Sequence, residues 1–239
     1  MALPASVSAG HNGVVNTIAG NQKRSWLRSL LAVAAAAVGG LLVMLICLRH
    51  EPVLLAGQAV PDAAAERESA RLLTKAASLH AAAGRNGGWD AVFTDAEVNA
   101  WLATDLPKNH PRLLLAGMSA PRVRFTRDRV AGGARLLWGP LSAFGWVDLE
   151  VRLRGLNQLS LAPRDARLGL VPLPRGLVLT RIARAIAATG AVTEIRRLDG
   201  EPVLFVSLPS MSGSSAARLR LESLHLDAGE MILTGSTTD

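Results

Sequence analysis

The chain has no Tyr, one Cys and only three Lys among 239 residues, and its nine aromatic side chains are scattered from Trp26 to Phe205. Each scarcity removes a class of function. Without clustered aromatics there is no stacking platform for bases or sugars. A single cysteine, Cys47, cannot close an internal disulfide, so a hydrophobic core must hold any domain together, even in an oxidising compartment. The rarity of Lys qualifies the formal charge of +7 and the pI near 11.0: 23 of the 26 basic residues are Arg, spread along an Ala- and Leu-rich chain rather than gathered into a stripe. No nucleic acid partner is expected.

Motifs for chemistry are missing as well. The five histidines, His11, His50, His80, His110 and His225, form no HExxH and no close pair with one another or with Cys47, so no metal is expected. The serines near residue 210 lack a G-x-S-x-G elbow, and no glycine pair stands in a strand-to-helix phosphate loop. Asp148 and Glu150 alternate along one strand face, as ordinary solvated acids do. No catalytic residue, cofactor or enzymatic activity is expected.

What is present starts with LLAVAAAAVGGLLVMLICL, 19 residues bounded by Leu30 and Leu48, without charge or Pro. At 1.5 Å per residue it is about 29 Å long, close to the hydrocarbon thickness of a bilayer. A cleaved signal peptide competes, since Gly57 to Ala59 loosely resembles a cleavage site, but the run is long for a signal core and that site lies about ten residues beyond it. A lipoprotein signal at Cys47 would need a small residue where Ile46 stands. A retained span fits better. Lys23, Arg24 and Arg28 precede it in a segment without acids, whereas Arg49, His50 and Glu51 follow as a mixed flank. The positive-inside rule then places the N-terminus in the cytoplasm, with Trp26 as an interfacial anchor and residues 49–239 outside.

The organisation expected is a disordered cytoplasmic tail (1–25), a transmembrane helix (26–48), a juxtamembrane linker (49–60) and an extracytoplasmic α+β domain (61–239). With the three N-terminal charges set aside, 23 basic residues face 19 acids in the outer part, a weak attraction to anionic headgroups. Pro61, Asp62 and Gly84 delimit an Ala-striped helix through Ala65, Leu72, Ala76, Leu79 and Ala83. After a loop, RNGGWD, Thr94 and Glu97 form a capping box, with Phe93 stapled on Val98, and Asp95 favours the first turn. That helix buries Val98, Trp101, Leu102 and Leu106 and ends at Pro107.

From Arg122 the period falls to two. Val123 and Phe125 alternate with Arg, residues 126–129 turn, and Val130 to Trp138 continue. FGWVDLEVRLRG sends Val147, Leu149, Val151 and Leu153 one way and charges the other, the mark of an antiparallel sheet with one wet face. NQLSLAP and DARLGLV follow, with PRD as a turn between them. A helix over 177–189, capped by Gly190, precedes two hairpins turned by Asp199-Gly200 and by residues 227–230, with PSMSGSSAA as a linker and a bulge near Leu221 to Leu224. The fold class is α+β: an N-terminal transmembrane helix, then a curved antiparallel sheet packed with two or three amphipathic helices.

The motifs FTDAEVNAWL (93–102), GLVPLPRGL (169–177) and LHLDAGEMILTG (224–235), in this order after an apolar span, resemble the YpmS-like group of single-pass bacterial envelope proteins and, more distantly, tubular lipid-binding domains. The likeness covers residues 26–237 and implies location and fold rather than activity. The function expected is that of a non-enzymatic protein of the bacterial inner membrane. Its sheet either is filled by its own side chains or leaves a groove in which the outer domain binds a lipid or other apolar ligand. Arg175, Arg181 and Arg184 edge a helix that could close such a groove or lie against lipid headgroups. The alternative is a scaffold subunit contacting envelope protein partners, for which the strand from Leu219 to Leu226 offers an edge.

Overall fold

The computed structural model describes residues 38–40, 43–53, 55–56, 62–114, 116–139, 141–208 and 218–238. The cytoplasmic tail, Lys23, Arg24, Trp26, Arg28, Leu30 and the PSMSGSSAA linker lie outside them. By contacts the chain divides into two units, residues 1–44 and 45–239. Residues 38–40 and 43–49 are helical. Among the described residues no helix is long and apolar enough to cross a membrane.

In the unit over 45–239 the α+β class holds, with antiparallel sheets and few helices. Helix α1 (Asp62–Ala83) leads into strand β1 (Gly87–Thr94), helix α2 (Asp95–Asn109) and a 3-10 turn. A meander follows, of β2 (Met118–Thr126), β3 (Arg129–Trp138), β4 (Leu141–Gly155) and β5 (Gln158–Leu168), with the short β6 (Val171–Pro172) folded back on β5. Helix α3 (Arg175–Ala187) precedes β7 (Val192–Leu198) and β8 (Glu201–Ser207), and the hairpin of β9 (Arg218–Asp227) and β10 (Glu230–Thr238) ends the chain. The large sheet runs β2-β3-β4-β5-β8-β7, and a three-stranded sheet runs β1-β10-β9.

Turn chemistry fixes the hairpins. Asp199 and Gly200 both adopt positive φ, 53° and 83°, as a two-residue loop matching the strand twist requires. Asp128 and Asn157 take φ of 59° and 58° in the β2–β3 and β4–β5 turns, where a short polar side chain tolerates the left-handed region. The capping box is complete: the Glu97 N–H donates to Thr94 Oγ1 at 3.2 Å, and the Thr94 N–H donates to Glu97 Oε2 at 3.0 Å.

Several expectations are corrected. The RNGGWD segment is not a loop: from Gly87 onward it is β1, paired along its length with β10, with Trp89, Ala91 and Phe93 buried. Pro107 lies inside α2, one turn from its end, where its missing N–H costs one terminal bond, and the His110 N–H donates to the Leu106 carbonyl beyond it. On α2, Glu97, Asn99, Ala100 and Leu106 are buried, whereas Val98, Trp101 and Leu102 are half-buried. The PRD tripeptide does not turn. Strand β5 runs through Pro163, which sits opposite Leu149 at a register shift that accommodates the absent donor. Helix α3 begins two residues earlier than expected and caps at Ala188 rather than Gly190. The linker expected at 49–60 is docked where described: Leu55 is fully buried with Ala131 and Phe144, and Glu51 pairs with Arg122. Gly133 makes room for it, since a Cβ there would lie 2.7 Å from Leu55 Cδ1.

Two asparagines hold strand edges with paired bonds. On α2, Asn99 Nδ2 donates to the Val123 carbonyl at 2.8 Å and Asn99 Oδ1 accepts from the Val123 N–H at 2.7 Å, closing the β2 edge. In the β4–β5 turn, Asn157 Nδ2 donates to the Leu219 carbonyl and Asn157 Oδ1 accepts from the Leu221 N–H, both at 2.6 Å. The Asp128 N–H donates to the Leu226 carbonyl at 3.3 Å. The β9 edge expected to be open to partners is thus occupied near both ends by turns of the large sheet. Asn157→Gly keeps the left-handed φ and removes only the clamp. We expect it to lower the unfolding free energy by about 2 kcal/mol in urea titration, and a loss under about 0.5 kcal/mol would contradict the clamp's role.

Candidate functional site

One face of the large sheet carries both the charges of β4 and the Ala131, Phe144 and Trp146 cluster beneath Leu55; the other is apolar. On the outer face Glu150 is buried between Arg152 and Arg164, Asp148 pairs with Arg129 at 3.2 Å, and Arg167 pairs with Asp165 at 2.9 Å while lying over Trp146. The acids of β4 are therefore not the solvated acids that the alternation led one to expect: Glu150 is buried and Asp148 half-buried, and arginines engage both. The register puts Val130 beside Leu149, Val151 beside Leu161, and Leu159 and Leu161 beside Val206 and Leu204, all on the inner face.

Helix α3 covers part of this inner face. Leu179 is fully buried against Leu161, Leu204 and Val206, and Ile182, Ala183 and Ile186 pack around it. This places its apolar stripe in the protein core. Arg181 and Arg184 are exposed, and Arg175 donates to Glu201 at 2.6 Å and to the Arg164 carbonyl at 3.3 Å. The three arginines edge the helix, but they do not converge on one site.

The inner face also borders apolar cavities. One, of about 310 Å³, has Val130, Val151 and Leu159 on the large sheet and Leu221, Leu224, Leu226, Met231 and Leu233 on the small one, with Leu79, Trp89 and Asn157 at its sides. A β-bulge creates this lining. Leu221 pairs with Gly235 and Ser223 with Thr234, so Glu222 is the extra residue. Leu219 and Leu221 before the bulge, and Leu224 and Leu226 after it, then face the same way. A second space of about 230 Å³, between α1 and the small sheet, shares Leu79, Trp89 and Leu219 with the first. A third, of about 350 Å³, lies over Gly132, Ala134, Gly145 and Val147, roofed by Leu173 and Val178. Its floor is open because glycine and alanine bring little side chain to it.

Trp89 stands between the first two cavities. It is 8% exposed, and its indole N–H has no hydrogen-bond partner. The ring packs against Gly235, where any Cβ would collide with the ring and with the Arg220 carbonyl. A buried donor without an acceptor costs about 1–3 kcal/mol. Sequence reasoning missed this residue because RNGGWD looks like a loop; the alternation of Trp89, Ala91 and Phe93 was the available signal.

Among the described residues no three His, Cys, Asp or Glu lie close enough to hold a metal. The acids that depart from ordinary behaviour are structural. Burial pushes Asp95 up against the pull of backbone N–H groups and Arg124. Burial also pushes Glu97 up, but the Lys75 ammonium 2.6 Å away and the Thr94 cap outweigh it, so its carboxyl titrates below 4.5. The site is therefore a set of apolar chambers with one orphaned donor. Comparison with protein-family models, curated proteins and solved structures found no match.

A depressed carboxyl stabilises the fold above its ordinary pKa of 4.5 and loses that contribution as pH falls through its lower folded value. The stability difference between the native chain and Glu97→Gln should be largest at neutral pH and shrink below pH 4.5, measured by urea titration at each pH. A difference independent of pH would contradict the Lys75–Glu97 pair.

Proposed function

We propose that this chain is a non-enzymatic single-pass membrane protein of the bacterial envelope, anchored through residues 30–48, whose outer domain holds the acyl chain of a lipid or a similar apolar ligand. The cavity between the two sheets is the observation that carries this reading. Its volume of about 310 Å³ falls at the lower end of the ~300–1,000 Å³ range of small-molecule sites. Apart from Asn157, whose amide is committed to the β9 edge, and the Trp89 N–H, its lining is hydrocarbon or thioether. Such a lining suits an acyl chain. The topology rests on the length of the apolar run and on Lys23, Arg24 and Arg28 before it.

A scaffold role is the second reading. Strand β7 favours it, since it closes the large sheet with Val192, Ile195 and Leu198 exposed. An edge strand of that kind can accept a partner's strand.

Irradiating the full-length chain with a fatty acid bearing a photoactivatable diazirine separates the two. We expect adducts on the peptide containing Leu219 to Leu233, reduced at least about tenfold by Leu233→Trp, which fills the cavity. Labelling confined to residues 30–48, or unaffected by Leu233→Trp in a chain of native circular dichroism, would contradict the cavity as the binding site.

A further inference from the structure

One end of the large sheet carries apolar surface that nothing in the fold uses. At the β3–β4 tip Trp138 is 54% exposed, and its neighbours Leu137 and Leu141 are nearly as open. At the β5–β6 turn of the same sheet end, Leu170 and Val171 are exposed as well. The two turns are close in register: the Gly169 N–H donates to the Phe144 carbonyl at 2.6 Å, three residues along β4 from Leu141. The last residues of the apolar run belong to this unit and are seated here. The Leu170 N–H donates to the Cys47 carbonyl at 2.9 Å, and Gly169 packs on Cys47 and Leu48 so closely that a Cβ would not fit.

Charge accompanies this rim. Just beyond Leu48, Arg49 and the β3 residue Arg135 line a hollow of about 220 Å³ with Ser142. Both arginines are exposed, and neither has an acidic partner among the described residues. Elsewhere on this sheet, Arg122, Arg129, Arg152, Arg164, Arg167 and Arg196 are paired with carboxylates, while Arg154 donates to the Ser160 hydroxyl and Arg197 to the Gly200 carbonyl. Two unpaired guanidiniums beside a serine hydroxyl suit a phosphate. A Trp at a hairpin tip flanked by leucines suits the boundary between headgroups and acyl chains, where an amphipathic ring has both an apolar and a wet side.

We propose that this end of the sheet docks onto an anionic phospholipid bilayer, with Trp138, Leu141 and Leu170 entering the interface and Arg49 and Arg135 holding a headgroup phosphate. The occupant follows from the continuity of the rim with the end of the apolar run and from its uncompensated positive charge. The third cavity, over Gly132 and Gly145, lies on the same half of the sheet and includes Leu136, two residues from Trp138. The inference rests on residues 30–48 being a span, and its test keeps the two apart.

The full chain, with Cys47→Ser and a single environment-sensitive fluorophore at Trp138→Cys, is placed in nanodiscs of phosphatidylcholine with or without phosphatidylglycerol. A label at Leu156→Cys, exposed in the β4–β5 turn at the opposite end of the sheet, is the control. The label at position 138 is expected to shift to the blue and to be quenched by doxyl lipid when phosphatidylglycerol is present, and position 156 is not. Arg49→Gln with Arg135→Gln, both exposed and outside the core, is expected to abolish the shift. Identical behaviour at 138 and 156 overturns the docking surface. A shift indifferent to lipid charge or surviving the double Gln variant overturns the headgroup site. A chain that does not enter the nanodisc overturns the span and this inference with it, leaving the diazirine labelling of the cavity to stand or fall by itself.

Discussion

The inner face of the large sheet is larger than the helix available to cover it. Strand β4 has 15 residues and so extends about 50 Å. Helix α3 has 13 and extends only about 20 Å. The hydrophobic effect demands cover for the apolar inner face, and α3 alone cannot supply it. The three-stranded sheet takes the part near the β4–β5 turn. Its lining is leucine and methionine, and closure between the sheets is incomplete. The cavities are the residue of that mismatch.

Polar groups fix how the cover is held. Asn157 is a turn residue, a clamp on β9 and a cavity wall at once, so the geometry of the β4–β5 hairpin sets the position of the small sheet. Asn99 does the corresponding work for α2 on β2, and the buried Thr237 hydroxyl donates to the Ala83 carbonyl to hold the end of α1 on the small sheet. The bulge at Glu222 then turns successive leucines of β9 to one side. Against this background the Trp89 indole N–H and Asp148 Oδ1 are, among the described residues, buried side-chain atoms without a hydrogen-bond partner.

Much of the fold was legible because local signals agreed with the tertiary outcome. The alternation in β4, the Thr94–Glu97 box, the Asp199-Gly200 turn and the bulge near Leu221 all follow from short-range chemistry. The failures came where distant residues decide. Strand β1 contains two glycines and is a strand because β10 pairs with it. Pro163 continues β5 because a register shift in β4 accommodates it. The buried position of Asn99 runs against its polarity, and only the β2 edge explains it. The apolar lining was visible as an abundance of Leu and Val, but whether those side chains meet or leave space depends on the span between two sheets, which no periodicity encodes. Arg175, Arg181 and Arg184 illustrate the same limit: their spacing on one helix suggested a cluster, while an ion pair to Glu201 draws one of them away.

We propose that the space between the sheets is a binding chamber rather than a packing defect. Native mass spectrometry of the full-length chain, gently released from detergent, tests it most directly. A binding chamber gives a species heavier by one lipid or fatty acid that survives collisional removal of detergent and is depleted in Leu233→Trp. A bare chain mass under all conditions, or an adduct equally abundant in that variant, would contradict it.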